Sequence, residues 1–191
     1  MFNILVYLLN KIIIKKNVMK VKNLFKVFII TLSFFIGSNA IAQTKNIVET
    51  AISSEAHTTL VAAVKAADLV GVLSSVGPFT VFAPTNDAFA KLPEGTIESL
   101  LKEENIGTLQ SILKYHVIAG KFNASDVISL IKNNDGNATI QTVNGGKLIA
   151  MLKDGSVYIK DENGNSAKVI AADLENTNGV IHVIDTVVLP K

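Results

Sequence analysis

The chain contains no cysteine, and neither arginine nor tryptophan occurs among its 191 residues. Without cysteine it can form no disulfide, and it offers no thiol nucleophile, no thiolate metal ligand and no residue for a thioether lipid anchor. Small secreted domains often rely on disulfides for stability. Residues 43–191 are nevertheless numerous enough to bury a sufficient apolar core without them.

The basic residues are all lysines, and they are unevenly distributed. Six of the 18 precede Gln43, whereas none of the 16 acidic residues does. The formal charge of +2 therefore becomes −4 for residues 43–191, where twelve lysines stand against 16 acids. No basic patch remains that would indicate a nucleic-acid partner.

The first 42 residues have the organisation of a secretory signal peptide. Three lysines between positions 20 and 26 precede a ten-residue, predominantly apolar region at 27–36, and Ala40-Ile41-Ala42 is a small-x-small cleavage site. The apolar run is too short to span a bilayer as a helix. We therefore expect cleavage to leave Gln43 first, with no stable membrane span afterwards and a secreted or periplasmic location.

A membrane anchor that also uses residues 4–14 is the alternative interpretation of this region. Lys11, Lys15 and Lys16 interrupt or follow that apolar stretch, which favours the signal peptide. Met19 is a plausible true start, so residues 1–18 belong to the chain only if translation begins upstream of it.

Helical periodicity predominates between Asn46 and Asn133. The expected helices occupy 46–76 in short pieces, 94–102, 105–115 and 126–132. Ser125 is expected to cap the last of them, with Asp126 in its first turn, where the helix dipole favours a carboxylate.

Strand patterns predominate after residue 133. One strand is expected earlier, at 79–83, and four more at 138–143, 147–152, 156–160 and 166–174. These four are joined by turn dipeptides such as Asn144-Gly145 and Asn163-Gly164. The final stretch, 180–189, is apolar on both alternating faces, which predicts a central strand covered on both sides. Helices followed by an antiparallel meander predict a single α+β domain over 43–191.

Three motifs resemble those of the fasciclin domain family. Residues 79–89 have the sequence FTVFAPTNDAF, residues 113–117 have LKYHV, and residues 178–190 have NGVIHVIDTVVLP. Their order is that of the family, and the resemblance covers nearly all of residues 46–191. It implies a fasciclin-like β-sandwich wedge with N-terminal and intervening helices. It also implies extracellular adhesion or matrix contact without catalysis.

The resemblance further indicates four candidate binding residues: Tyr115, His116, Asp173 and Leu174. Tyr115 and His116 form the family's Tyr-His element, and Asp173-Leu174 is similar to the Asp-Ile of integrin-binding animal members. Three of them also have a structural interpretation: Tyr115 and His116 leave a helix in different directions, so that one can pack while the other stays exposed, and Asp173 caps a turn. His182 lies between apolar residues of the final stretch and is interpreted as a hydrogen-bonded core histidine.

Catalytic and metal-binding patterns are weak. The oxygen-rich segment 161–165 lacks the glycine and glutamate that a calcium loop requires, because Ser166 and Ala172 occupy those positions. We therefore expect a hairpin turn there, no metal, no cofactor and no enzyme activity.

Three function classes follow from the sequence. The leading hypothesis is an adhesion module that contacts a cell-surface or matrix protein or a polysaccharide. The alternatives are a carrier of a small apolar ligand in a cleft between helices and sheet, and an unrecognised hydrolase. A pocket of a few hundred Å³ would favour the carrier.

Overall fold

The computed structural model describes residues 45–191, so the predicted signal peptide and its cleavage site lie outside the described residues. The α-helices are α1 (Ile47–Ile52), α2 (Thr58–Ala66), α3 (Val70–Leu73), α4 (Asn86–Ala90), α5 (Thr96–Leu100), α6 (Ile106–Tyr115) and α7 (Ala124–Asn133). Short 3-10 turns cover Glu55–His57 and Glu103–Asn105. Within 45–191 no helix is long and apolar enough to cross a bilayer.

In the part of the chain that the structure describes, seven strands form one mixed sheet. They are β1 (Phe79–Pro84), β2 (Val117–Ala119), β3 (Asn137–Gln141), β4 (Lys147–Lys153), β5 (Ser156–Lys160), β6 (Ser166–Asn176) and β7 (Gly179–Ile184). Their spatial order is β2-β1-β7-β6-β5-β4-β3. The strands from β3 to β7 form the antiparallel meander that the turn dipeptides predict, and the α+β class is confirmed.

The three fasciclin-like motifs meet at the end of the strand order formed by β2, β1 and β7. β1 pairs in parallel with β7, from Phe79 opposite Gly179 to Pro84 opposite Ile184, and pairs on its other edge with β2. Gly179 has φ +155, and a Cβ there would lie 2.0 Å from the carbonyl oxygen of Phe79. Only glycine therefore permits the close approach with which the two strands begin.

The final strand is central and buried on both faces, as predicted, but shorter than predicted. All six residues of β7 are buried. Ile181 and Val183 belong to the apolar cluster that includes residues of α1, α2 and α6. Ile184 belongs to a second apolar cluster, which includes residues of α7 and of the meander. The strand ends at Ile184 rather than Leu189. The reason is that the backbone N–H groups of Val188 and Leu189 donate to the side chains of His116 and Asp161 instead of to a strand.

β6 changes its strand neighbours along its length. Ser166 to Lys168 pair with β5, whereas the strand that pairs with Val169 to Asn176 within residues 45–191 is β7 alone. At the other end of the sheet, the Val143 N–H donates to the Val117 carbonyl oxygen at 2.8 Å, which connects the end of β3 to β2. The result is a sandwich-like arrangement with helices on its faces, as the family resemblance implies.

Helix α7 begins earlier than predicted. Asn123, not Ser125, precedes its first residue in an extended conformation, and the Asn123 N–H donates to the Asp126 carboxylate at 2.9 Å. Asp126 lies in the first turn, as expected.

Candidate functional site

Tyr115, a predicted surface contact, lies in the interior. Its side chain is fully buried. Its hydroxyl donates to the Lys147 carbonyl oxygen at 2.6 Å and accepts from the Glu162 N–H at 3.2 Å. Burial raises the pKa of this hydroxyl. The prediction of a surface role is wrong here, because Tyr115 is the last residue of α6 and its ring lies on the side of the helix that the meander covers.

His116 is buried as well, with 3% of its surface exposed. Its Nδ1–H donates to the Ile112 carbonyl oxygen at 2.8 Å, and its Nε2 accepts from the Val188 N–H at 3.3 Å. Both contacts suit a neutral ring, and burial lowers the pKa of His116 to about 4. His116 therefore fixes the C-terminal segment and is not a surface contact, contrary to the prediction.

Asp173 and Leu174, by contrast, lie on the surface. The six residues from Ile170 to Glu175 are all exposed, although they belong to a strand. Two irregularities interrupt the register of β6 with β7, and within the second Ala172 and Asp173 lie opposite the single residue His182. Asp173 adopts φ +59 at this bulge, a left-handed conformation that aspartate tolerates better than most residues.

Both the backbone and the side chain of Asp173 are fixed by other parts of the chain. Its N–H donates to His182 Nδ1 at 3.3 Å, and its Oδ1 accepts from the Ala124 N–H at 2.7 Å. The carboxylate thus caps the N-terminus of α7, where the helix dipole favours negative charge. The capping interpretation is correct in kind, but the capped element is a helix 49 residues away and not an adjacent turn.

The structure does not bring the two predicted pairs together into one site. Tyr115 contacts residues of β4 and of the β5–β6 turn, while Asp173 lies toward the far end of β6 against α7. The sequence interpretation also missed Ile170, which is 52% exposed. The one signal for this exposure in the sequence was that a strand-like run, 169–174, is interrupted by a single aspartate.

The segment 161–165 forms the expected hairpin turn. Asp161 is 3% exposed, and its carboxylate accepts the backbone N–H groups of Asn163, Asn165 and Leu189. Its oxygens are therefore engaged within the chain. Among residues 45–191, no group of three or more His, Asp or Glu side chains is placed to hold a metal ion.

An apolar cavity lies between the first helices and the sheet. Its volume is about 40 Å³, and its walls include Ile47, Leu60, Val81 and Ile181. A small-molecule site usually measures about 300–1,000 Å³. In this conformation the cavity is too small for such a ligand.

Comparison with known proteins agrees with this architecture. The sequence model of the family described as "Fasciclin domain" matches residues 55–190. Protein sll1483 of Synechocystis is 54% identical over 144 residues, which cover 75% of this chain and 73% of that protein. The chain therefore belongs to the fasciclin domain family.

Two further similarities concern larger proteins. The cell surface glycolipoprotein MPB83 of Mycobacterium bovis is 37% identical over 123 residues, or 64% of this chain and 48% of that protein. A FAS1 domain pair from the insect cell adhesion molecule Fasciclin I superposes with a TM-score of 0.55 at 26% identity, covering 66% of this chain and 42% of that chain. This chain thus spans less than half the length of either.

Proposed function

We propose that the domain is a non-catalytic adhesion module of a secreted or periplasmic protein. It contacts a cell-surface or matrix component, either a protein or a polysaccharide. The observation that carries this proposal is the exposed half of β6, residues 170–175, which belongs to the sheet and has Ile170 and Leu174 at the surface.

This segment has the features of a contact surface. Ile170 and Leu174 are 52% and 39% exposed, and an exposed apolar side chain next to a carboxylate is a mixture suited to a protein interface. Among the described residues, β7 is the only strand that pairs with Val169 to Asn176. The bulges make the free edge irregular, which disfavours edge-to-edge aggregation and leaves side chains to make the contact.

The relatives support an adhesive role outside the cytoplasm. One is called a cell surface glycolipoprotein and another a cell adhesion molecule. The signal-peptide pattern of residues 1–42 agrees with such a location. The small volume of the apolar cavity does not favour the carrier, and no observation favours the hydrolase.

The test compares two leucines of nearly equal exposure. Leu174 is 39% exposed on β6 and Leu152 is 38% exposed on β4. The purified exported chain is bound to isolated cell envelopes of the source organism, and half-saturation is measured for the unmodified chain, Leu174→Lys and Leu152→Lys. We expect Leu174→Lys to weaken binding at least about tenfold, as for a central contact residue, and Leu152→Lys to bind normally.

Envelope pretreatment then identifies the partner class. Loss of binding after protease treatment indicates a protein, and loss after periodate oxidation indicates a polysaccharide. Equal half-saturation for both leucine variants would show that the contact surface lies elsewhere on the domain.

A further inference from the structure

Four groups around Asp173 form a closed hydrogen-bonded circuit. The Asp173 N–H donates to His182 Nδ1. His182 Nε2 lies 2.8 Å from the Phe122 carbonyl oxygen. Two residues after Phe122, the Ala124 N–H donates to Asp173 Oδ1. The circuit joins β7, the loop before α7 and the bulge of β6.

The circuit defines the state of the His182 ring. Because Nδ1 accepts the Asp173 N–H, the ring proton lies on Nε2, from which it is donated to Phe122. His182 is 2% exposed and packs against Phe82 with ring centroids 5.7 Å apart. A neutral imidazole thus replaces the backbone carbonyl that a regular ladder would offer to a strand N–H.

The loop before α7 is itself held rigidly. The Phe122 N–H donates to Thr80 Oγ1 at 2.9 Å, and that hydroxyl donates to the Gly120 carbonyl oxygen at 2.8 Å. Lys121 forms an ion pair with Glu175. These hydrogen bonds therefore fix the exposed segment of β6 relative to the buried strands β1 and β7.

We infer that His182 is a positioning residue, which fixes the backbone geometry in which β6 presents Asp173 and Leu174. The role of His182 in partner binding rests on the proposed function, whereas its control of the bulge does not. The Ala124 N–H at the start of α7 in turn orients the Asp173 side chain.

Two substitutions of His182 separate its two hydrogen bonds. The asparagine Oδ1 occupies approximately the place of Nδ1, and the glutamine Nε2 that of the ring Nε2. His182→Asn therefore keeps an acceptor for Asp173, whereas His182→Gln keeps only the donor to Phe122. His116→Gln is the matched control, since His116 is equally buried and does not contact this segment.

The primary measurement is hydrogen exchange of the Asp173 amide by NMR. We expect His182→Gln to accelerate that exchange at least about tenfold relative to the other β6 amides, while His182→Asn and His116→Gln leave it within about twofold. Envelope binding should likewise weaken in His182→Gln and stay nearly unchanged in His182→Asn and His116→Gln. Equal Asp173 exchange in all the variants would overturn the inference.

Ala124→Pro tests the circuit without altering the core. Ala124 is the first residue of α7, where proline is well accepted. Asn123 before it already has φ −73 and ψ 164, the conformation that a following proline requires. The substitution removes the N–H that Asp173 accepts. We expect envelope binding to fall at least about threefold, with the melting temperature lowered by only a few degrees through the lost helix cap; unchanged binding would count against the inference.

The two proposals fail in different ways. Loss of Asp173 protection in His182→Gln, in a chain that does not bind envelopes at all, supports the positioning role and refutes the adhesion surface. Envelope binding that depends on Leu174 but is the same for every His182 and Ala124 variant overturns the role of His182 in partner binding and leaves the adhesion surface standing.

Discussion

Strands β6 and β7 run side by side, yet they have opposite environments. All six residues of β7 are buried, whereas the six from Ile170 to Glu175 on its neighbour are exposed. The last of the three fasciclin-like motifs, residues 178–190, contains the buried strand. Motif residues thus identify the framework of the fold, and the side chains available to a partner lie one strand away, where the motif does not extend.

The largest expected effect comes from placing the same charge in both strands. Ile184→Asp introduces a carboxylate at a fully buried position, and we expect it to destabilise the domain by more than about 4 kcal/mol or to prevent cooperative folding. Ile170→Asp, at a site 52% exposed, should change stability by less than about 0.5 kcal/mol. Urea unfolding of the two variants measures the difference. Similar losses would contradict the contrast between the strands.

Acid should destabilise the buried framework through His116. Burial lowers its pKa from 6.5 to about 4, so the unfolded chain takes up the proton first as the pH falls. The associated stability is complete above about pH 6.5 and is lost progressively down to about pH 4, by about 3 kcal/mol in total. Burial lowers the pKa of His57 too, which acts in the same direction.

Urea midpoints measured between pH 7 and pH 4 test this dependence. His116→Gln serves as the control, since it should be less stable at pH 7 and show a shallower decline with acid. An equally steep decline in that variant would assign the acid sensitivity to other groups.

A smaller effect distinguishes a core tyrosine from a surface one. Tyr115→Phe removes the hydroxyl that contacts Lys147 and Glu162. We expect a loss of about 2 kcal/mol, because two hydrogen bonds worth about 1 kcal/mol each are removed, and a melting temperature lowered by several degrees. Tyr158→Phe, at a half-buried tyrosine of β5, is the control. A normal melting temperature for Tyr115→Phe would restore the surface interpretation.

Local signals in the sequence predicted much of the fold. Turn dipeptides such as Asn144-Gly145 and Asn163-Gly164 join strands that are adjacent in the chain, so the meander could be predicted from neighbouring residues alone. The parallel pairing of β1 with β7 could not, because Phe79 and Gly179 are far apart in sequence. The length of the last strand was also hidden, since Asp161 rather than a strand receives the Leu189 N–H.

The candidate site was predicted only in part, for a similar reason. The exposure of Asp173 and Leu174 agrees with a surface role. Tyr115, however, leaves a helix end, where sequence periodicity does not distinguish a buried ring from an exposed one. Its hydroxyl partner, Lys147, lies 32 residues further along the chain. The circuit through His182 and Ala124 likewise depends on contacts between distant segments.

The position of β7 between β1 and β6 has a consequence for the timing of folding. During synthesis β1 is made early, but its parallel neighbour is completed only when residue 184 has been added. Until then neither apolar cluster can close, since each contains residues of β7 or of the segment after it. We therefore expect a nascent chain to complete its folding only after the last strand has been made. This timing agrees with the proposed secreted or periplasmic location, since an unfolded polypeptide can pass through a narrow export channel.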